Sequence, residues 1–194
     1  MTNLNSTIFT LKNGIRVVFM HTTASVSHLG VTVLAGSRYE RDNEEGLAHF
    51  LEHCIFKGTE KRRAFHILSR LDSVGGELNA YTGKEEICLY GSFTKEHFNR
   101  ASELLSDILI HSNFPPKEIE KEKEIVLDEI NSYLDSPSDR IFDDFEAQLF
   151  QNHPLGCNIL GNKESVNSFT QQDLLNYVHR SFFAENIVIS VVGD

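Results

Sequence analysis

The sequence has few of the residues that mark fibrous, disulfide-bonded or unfolded chains. Among its 194 residues, 12 are glycine, 4 are proline and 3 are cysteine, while 40% are hydrophobic. This composition excludes a collagenous, low-complexity or disordered chain and indicates a folded soluble protein. The cysteines, Cys54, Cys88 and Cys157, lie far apart and form no C-x-x-C pattern. They therefore indicate neither a disulfide framework nor a thiolate zinc site.

Basic residues are also scarce, and no segment is hydrophobic for long. The 18 lysines and arginines are outnumbered by 28 aspartates and glutamates, which gives a net charge of -10. Such a balance disfavours nucleic acid and anionic membranes as partners and favours basic peptides. No run approaches the roughly 18 apolar residues of a membrane span, and residues 1–6 lack the pattern of a signal peptide. We therefore predict a single domain that stays in the cytoplasm.

Strand and helix signals follow one another without a repeating βαβ rhythm. Strand-like runs cover residues 8–11, 16–20, 29–34, 77–82, 86–93 and 187–192. Helical spacing predicts helices over residues 44–56, 64–74, 96–110, 141–150 and 171–182, with a further acidic helix that begins at Pro115-Pro116. This order indicates an α+β domain in which helices cover one face of a largely antiparallel sheet.

The sharpest local feature is His49-Phe50-Leu51-Glu52-His53 on the first predicted helix. Because side chains four residues apart lie one turn above each other, His49 and His53 can offer two imidazoles to one zinc ion. Glu52 leans toward the same side and is the candidate general base for a zinc-activated water. The alternative is an amphipathic helix that carries these polar residues for solubility. The apolar Phe50 and Leu51 argue against it, because they place the histidines at the edge of a packed face.

A catalytic zinc site needs a third protein ligand and an open position for water. The helix after Pro115-Pro116 offers six acidic candidates, namely Glu118, Glu120, Glu122, Glu124, Asp128 and Glu129. Glu122 and Glu129 are two helical turns apart on one face. One of them could bind the metal while the other orients a ligating histidine. Spacing alone leaves the choice between them open.

The order of these motifs resembles the pitrilysin family of zinc peptidases, M16, the inverted zincins. The family includes the mitochondrial processing peptidase and insulin-degrading enzyme. His49-x-x-Glu52-His53 is followed 76 residues later by Glu129, with Glu122 seven residues before it. Further similar segments, in the expected order, are Leu11-Lys12-Asn13-Gly14, Gly36-Ser37-Arg38, Gly46-Leu47-Ala48, residues 75–82, His153-Pro154-Leu155-Gly156 and Val192-Gly193-Asp194. The resemblance covers nearly the whole chain.

The resemblance implies a zinc metalloendopeptidase with a pitrilysin-like fold that hydrolyses extended or unfolded peptides. His49, His53 and Glu129 would bind Zn2+, Glu52 would be the catalytic base, and Glu122 would support the site from outside the ligand set. The resemblance thus implies that Glu129 is the third ligand, a choice that spacing alone leaves open.

A peptide-binding strand is also implied. Asn79 and Ala80 match the edge strand on which family members bind an extended peptide by main-chain hydrogen bonds. The alternative reading of Asn79 is a turn or strand-end residue.

The resemblance extends only to the first domain of family members, whose active enzymes enclose substrate between two halves. We therefore expect residues 1–194 to be one N-terminal zinc-peptidase domain, and a fragment that lacks the downstream domain. The active enzyme would be completed by that downstream domain, by a partner subunit or by a second copy of this chain. We expect the chain alone to hydrolyse peptides poorly. The alternative is a non-catalytic peptide-binding or scaffolding subunit of a peptidase pair. The complete motif favours the enzyme, since such partners characteristically lose motif residues.

Overall fold

The computed structural model describes residues 6–194, which contain one mixed six-stranded sheet. Its strands are β1 (Ser6–Thr10), β2 (Arg16–His21), β3 (Val26–Val33), β4 (Glu77–Thr82), β5 (Ile87–Thr94) and β6 (Ile187–Gly193). They lie side by side in the order β1-β2-β6-β3-β5-β4. The strands β2 and β6 are parallel, and every other neighbouring pair is antiparallel. The predicted largely antiparallel sheet is confirmed.

Seven α-helices accompany the sheet in the described residues. They are α1 (Leu47–Ile55), α2 (Ala64–Asp72), α3 (Phe98–His111), α4 (Pro116–Leu134), α5 (Pro137–Leu149), α6 (Lys163–Ser168) and α7 (Gln171–Ser181). Side chains alternate between the two faces of the sheet. In β5, Leu89 is fully buried beneath the helices, whereas its neighbour Tyr90 is exposed. The α+β class and the one-sided helix layer therefore agree with the prediction.

The centre of the helix layer is α1. Its buried residues are Leu47, Ala48, His49, Phe50, Leu51, Cys54 and Ile55, so it is covered on almost every side. It contacts β4, α4, α6 and α7. A helix that is apolar on nearly its whole circumference must be buried in this way. Its packing brings α1 against α4, which begins about 60 residues later.

Three helices differ from the sequence prediction. The first helix begins at Leu47 rather than at residue 44, because Gly46 before it has a left-handed φ of 90°. The helix predicted from residue 141 begins at Pro137, since proline fits the first helical turn and extends α5 backwards beyond its apolar residues. The short α6 was not predicted. It carries a capping box between Asn162 and Ser165 and has too few turns to show apolar periodicity.

A buried carboxylate ties the segment after α1 to α3. The side chain of Asp107 is 1% exposed and accepts hydrogen bonds from the guanidinium of Arg62 and from the hydroxyl of Thr59, the latter at 2.9 Å. Burial alone raises the pKa of Asp107, but these two hydrogen bonds, together with the positive charges of Arg62 and Lys61, hold the pKa below its usual value. Arg62 also pairs with the exposed Glu103 at 2.7 Å.

We predict that Asp107→Asn lowers the free energy of unfolding at neutral pH by about 3 kcal/mol, because it removes the buried charge that Arg62 neutralises. Since the folded-state pKa is lowered, this stability is present above the unfolded-state pKa of 3.8 and is lost as the pH falls through the folded-state pKa. Urea denaturation at neutral pH and at about pH 3 measures the difference between wild type and variant.

The exposed partner provides the control for this experiment. Glu103→Gln should cost less than about 1 kcal/mol, because its ion pair is accessible to solvent. A difference between wild type and Asp107→Asn that stays constant into acid would contradict the prediction.

Candidate metal centre

Two helices bring the three predicted ligands to one point. On α1, the ring centroids of His49 and His53 are 4.7 Å apart. On α4, Oε2 of Glu129 lies 3.3 Å from Nε2 of His53 and 3.7 Å from Nε2 of His49. Among the described residues, these three form the group of potential ligands whose donor atoms all lie within 4.8 Å of one another.

The donor set and its spacing fit zinc. Ligand atoms about 2.1 Å from a tetrahedral zinc lie about 3.4 Å from each other. The measured separations of 3.3 and 3.7 Å between the carboxylate oxygen and the imidazole nitrogens are close to this value. Two imidazoles and one carboxylate are a usual ligand set of catalytic zinc, with a fourth position left for water. The residues therefore fit Zn2+.

Burial prepares His49 to act as a ligand. The residue is 8% exposed, and burial, with a smaller effect of His53, lowers the pKa of His49 to about 4. The ring is therefore neutral at pH 7, which leaves a nitrogen lone pair free for a metal. Its Nδ1 atom is buried and has no hydrogen-bond partner within residues 6–194. Packing of α1, rather than a hydrogen bond at Nδ1, holds this ring in place.

His53 is held by a buried carboxylate. Its Nδ1 lies 3.4 Å from Oε2 of Glu122, whose side chain is only 5% exposed. A carboxylate can only accept a hydrogen bond, so Nδ1 donates to Glu122, and Nε2, on the Glu129 side of the ring, is the nitrogen that could bind a metal. The other oxygen of Glu122, Oε1, pairs with Nζ of Lys57 at 2.8 Å. Glu122 and Glu129 thus have different surroundings in the structure, a difference that their spacing in the sequence does not reveal.

Glu52 faces the same cleft as the candidate ligands. Its Oε2 accepts a hydrogen bond of 2.6 Å from the hydroxyl of Thr82, the last residue of β4. Glu52, Thr82, His49 and Glu129 all line a cleft of about 540 Å³. A carboxylate in this position can take a proton from a molecule bound in the cleft.

Sequence reasoning missed two residues at this site. Thr82 lies in one of the segments that resemble the family, and strand alternation places it on the same face as Ala80. Lys57 follows His53 by four residues, the spacing of one helical turn. Their roles depend on contacts with Glu52 and Glu122, which the sequence spacing does not reveal.

The start of α1 is fixed by the half-buried side chain of Glu40. The carboxyl group of Glu40 accepts hydrogen bonds from the backbone N–H groups of Gly46 at 3.0 Å and Ala48 at 2.8 Å. Burial raises the pKa of Glu40 to about 8, against these hydrogen bonds, which lower it. At Gly46 a Cβ atom would lie 2.5 Å from the carbonyl oxygen of Leu160, so only glycine fits. These contacts set where the helix begins, next to His49.

The strand β4 lies at the edge of the sheet. The N–H of Ala80 donates to Oδ1 of Asn79 at 2.9 Å and therefore points away from β5 toward the open edge. Because alternate residues of an antiparallel strand share this direction, the main-chain groups of Leu78 and Thr82 face the same edge. Asn79 is an exposed residue inside the strand, so its alternative assignment to a turn or strand end is wrong.

Comparison with known proteins identifies the family. Residues 16–163 match the family model described as insulinase, peptidase family M16. The chain belongs to peptidase family M16. It is 40% identical over 188 residues to an uncharacterized zinc protease, YmxG, of Bacillus subtilis, covering 96% of this chain and 46% of the relative. It is also 40% identical over 188 residues to the beta subunit of the mitochondrial-processing peptidase of Dictyostelium discoideum, covering 96% of this chain and 40% of that subunit.

Solved structures agree with this assignment. A protease from Helicobacter pylori has a TM-score of 0.92 and 26% identity, covering 98% of this chain and 46% of that one. The fold is also shared, with a TM-score of 0.91 at 19% identity, by an M16 domain of Pseudomonas fluorescens that is described as inactive, covering 98% of this chain and 47% of that one. This M16 chain spans about half the length of the curated relatives it matches. Family membership and the names of the relatives support a metallopeptidase.

No helix within residues 6–194 is both long enough and apolar enough to cross a bilayer.

We predict that Glu40→Ala lowers the free energy of unfolding by about 2 kcal/mol, because it leaves two buried N–H groups at the start of α1 without an acceptor. Thermal or urea denaturation measures the loss, and amide hydrogen exchange at Ala48 should become faster. Glu45→Ala is the matched control, because it truncates the same type of side chain near the same helix end, where the two N–H groups bind Glu40 and, among the described residues, no hydrogen bond to the Glu45 side chain is found. Equal stability of the two variants would show that Glu40 does not cap α1.

Proposed function

We propose that this chain is the zinc-binding, catalytic domain of a metalloendopeptidase. The observation that carries the proposal is the convergence of His49, His53 and Glu129, with donor separations that suit zinc. The names of relatives, which include zinc proteases, support the same cofactor. We further propose that residues 1–194 form one domain, as the single sheet and its shared helix layer support.

The chemistry follows from the surroundings of Glu52. When bound, Zn2+ supplies Lewis acidity that activates a water for attack on a peptide carbonyl. Glu52 takes the proton of the attacking water on Oε1, since Thr82 holds Oε2. It then passes that proton to the leaving nitrogen of the peptide. Glu122 keeps His53 oriented from outside the ligand set.

The open edge of β4 supports extended peptides as substrates. A peptide added to this edge would bind through main-chain groups, beginning at the outward N–H of Ala80, which the side chain of Asn79 occupies in the free protein. Main-chain binding tolerates many side chains and requires an unfolded or extended segment. Asn79 and Ala80 are therefore the proposed peptide-binding residues.

The charge of the cleft supports basic peptides. Its walls carry Asp139 and Asp143 besides Glu52 and Glu129. Four carboxylic acids around one cleft favour cationic side chains, and the net charge of -10 acts in the same direction at longer range. A tightly bound metal would offset only part of this negative charge.

We also propose that a further domain or a partner subunit completes the enzyme. The relatives are about twice as long as this chain, and one of them is a named subunit of a processing peptidase. A second copy of this chain is an alternative partner. The cytoplasmic location stays a prediction from the sequence, since similar proteins include mitochondrial subunits and a periplasmic protease.

Metal content and peptide hydrolysis together test the proposal. Purified wild type should contain one zinc per chain, Glu129→Gln should lose most of it, and Glu52→Gln should retain it while hydrolysis falls at least about 1000-fold. Elemental analysis gives the metal content. Chelator-sensitive hydrolysis of an unfolded basic peptide is measured with the chain alone and with the protein at the length of its relatives. Absence of zinc from wild type would refute the metal site, and unchanged hydrolysis in Glu52→Gln would refute its role as base.

This experiment also separates the catalytic domain from a non-catalytic scaffolding subunit. A scaffolding subunit would bind peptide equally well in wild type and in Glu52→Gln and would have no hydrolysis to lose. Full chelator-sensitive hydrolysis by the chain alone would refute the proposed need for a further domain or partner.

Peptide addition to β4 has its own test. We expect a basic unfolded peptide to slow amide hydrogen exchange at Ala80 in Glu52→Gln, which keeps bound peptide intact. Amides of β1, at the opposite edge of the sheet, are the internal control and should not change. On binding, we expect the Asn79 side chain to leave the N–H of Ala80 and to form a hydrogen bond with the peptide, so Asn79→Ala should raise the peptide dissociation constant about fivefold. Protection at β1 instead of β4 would place the peptide elsewhere.

A further inference from the structure

Lys57 lies just beyond the end of α1, one helical turn after His53. Its Nζ atom is 2.8 Å from Oε1 of Glu122, and its side chain is 26% exposed. Within the described part of the chain, the cationic or imidazole groups paired with Glu122 are Lys57 and His53. The two oxygens of Glu122 are thus divided between a lysine and a histidine.

This division has an electrostatic consequence. The side chain of Glu122 is 5% exposed, so it has little water to hydrate it and needs a charged partner in the protein. The ammonium group of Lys57, 2.8 Å from Oε1, is that partner. Oε2 is then left to accept the hydrogen bond from Nδ1 of His53.

The same contact has a geometric consequence. Because Oε1 is bound by Lys57, the carboxylate plane of Glu122 cannot rotate freely, and Oε2 stays directed at His53. The hydrogen bond at Nδ1 then fixes the ring so that Nε2 faces Glu129 at 3.3 Å. Lys57 is absent from the residues that line the cleft, so within the described structure it acts through Glu122 and not on a bound peptide.

We infer that Lys57 is a positioning residue of the metal centre, which acts through Glu122 on the orientation of His53. The inference rests on the proposed zinc site and names a residue that sets its affinity.

Zinc affinity measured by competition with a chromophoric chelator tests this inference. We expect Lys57→Met and Lys57→Gln each to weaken zinc binding by about 10-fold to 100-fold, the usual effect of losing an outer partner of a ligand. Lys57→Arg keeps the charge and should recover most of the affinity. In a Glu122→Gln background, Lys57→Met should have less than about a twofold effect, because the group through which it acts is already neutral.

A charge-matched control excludes a general electrostatic effect. Lys121→Met removes a positive charge from α4, where Lys121 is 65% exposed and pairs with Glu118 at 2.7 Å. It should change zinc affinity by less than about twofold. Circular dichroism before each titration shows whether each variant is folded. If Lys57→Met does not fold, Lys57→Gln provides the measurement.

The outcomes separate this inference from the proposed function. Tight zinc binding by wild type with unchanged affinity in both neutral variants would overturn the role of Lys57 while leaving the zinc site intact. An equal loss of affinity with and without Glu122→Gln would also overturn it, because Lys57 would then act by another route. Failure of wild type to bind zinc would overturn the zinc site, and this inference with it.

Discussion

The packing of α1 against α4 is the contact on which the candidate metal centre depends. The apolar stripe of α4 consists of Ile119, Val126 and Ile130, and it lies against the buried core. Glu122 falls on that stripe and is buried, whereas Glu129 lies at its rim with 44% of its side chain exposed. One packing interaction therefore gives the two carboxylates different roles. Glu122 contacts Nδ1 of His53, and Glu129 faces the open cleft.

Burying so many polar groups around one helix requires compensation at each of them. At the start of α1, Glu40 accepts hydrogen bonds from two backbone N–H groups. Near the end of α1, Glu122 is paired with Lys57. In the segment after α1, Arg62 is paired with Asp107. Each of these acidic side chains thus has its own donors, as removal from water demands. These fixed contacts at both ends leave α1 little freedom to shift. That rigidity holds the donor atoms of the candidate metal centre a few ångströms apart.

The elements with strong periodic signals were predictable from the sequence. The alternating strands, the α+β class and the histidines four residues apart follow from local spacing, which tertiary contacts do not alter. Which apolar residues are buried, and which distant residues contact each other, depends on tertiary packing and does not follow from sequence spacing. Ile125 fits an apolar position of α4 but is 50% exposed, and the contacts of Lys57 and Thr82 join segments that are distant in sequence. The choice between Glu122 and Glu129 needed either a family resemblance or the fold.

The fold alone does not decide activity, since a domain described as inactive shares it at a TM-score of 0.91. In this chain, the edge strand and the central helix meet at the candidate site. Thr82 ends β4 and donates to Glu52 on α1, and the main-chain groups of Ala80, two residues earlier, face the open edge of β4. A peptide added to β4 would run toward the carboxylate that Thr82 orients. The same strand therefore supplies both the proposed peptide-binding surface and the hydroxyl that orients Glu52, the proposed base. This arrangement links the position of the peptide to proton transfer by Glu52.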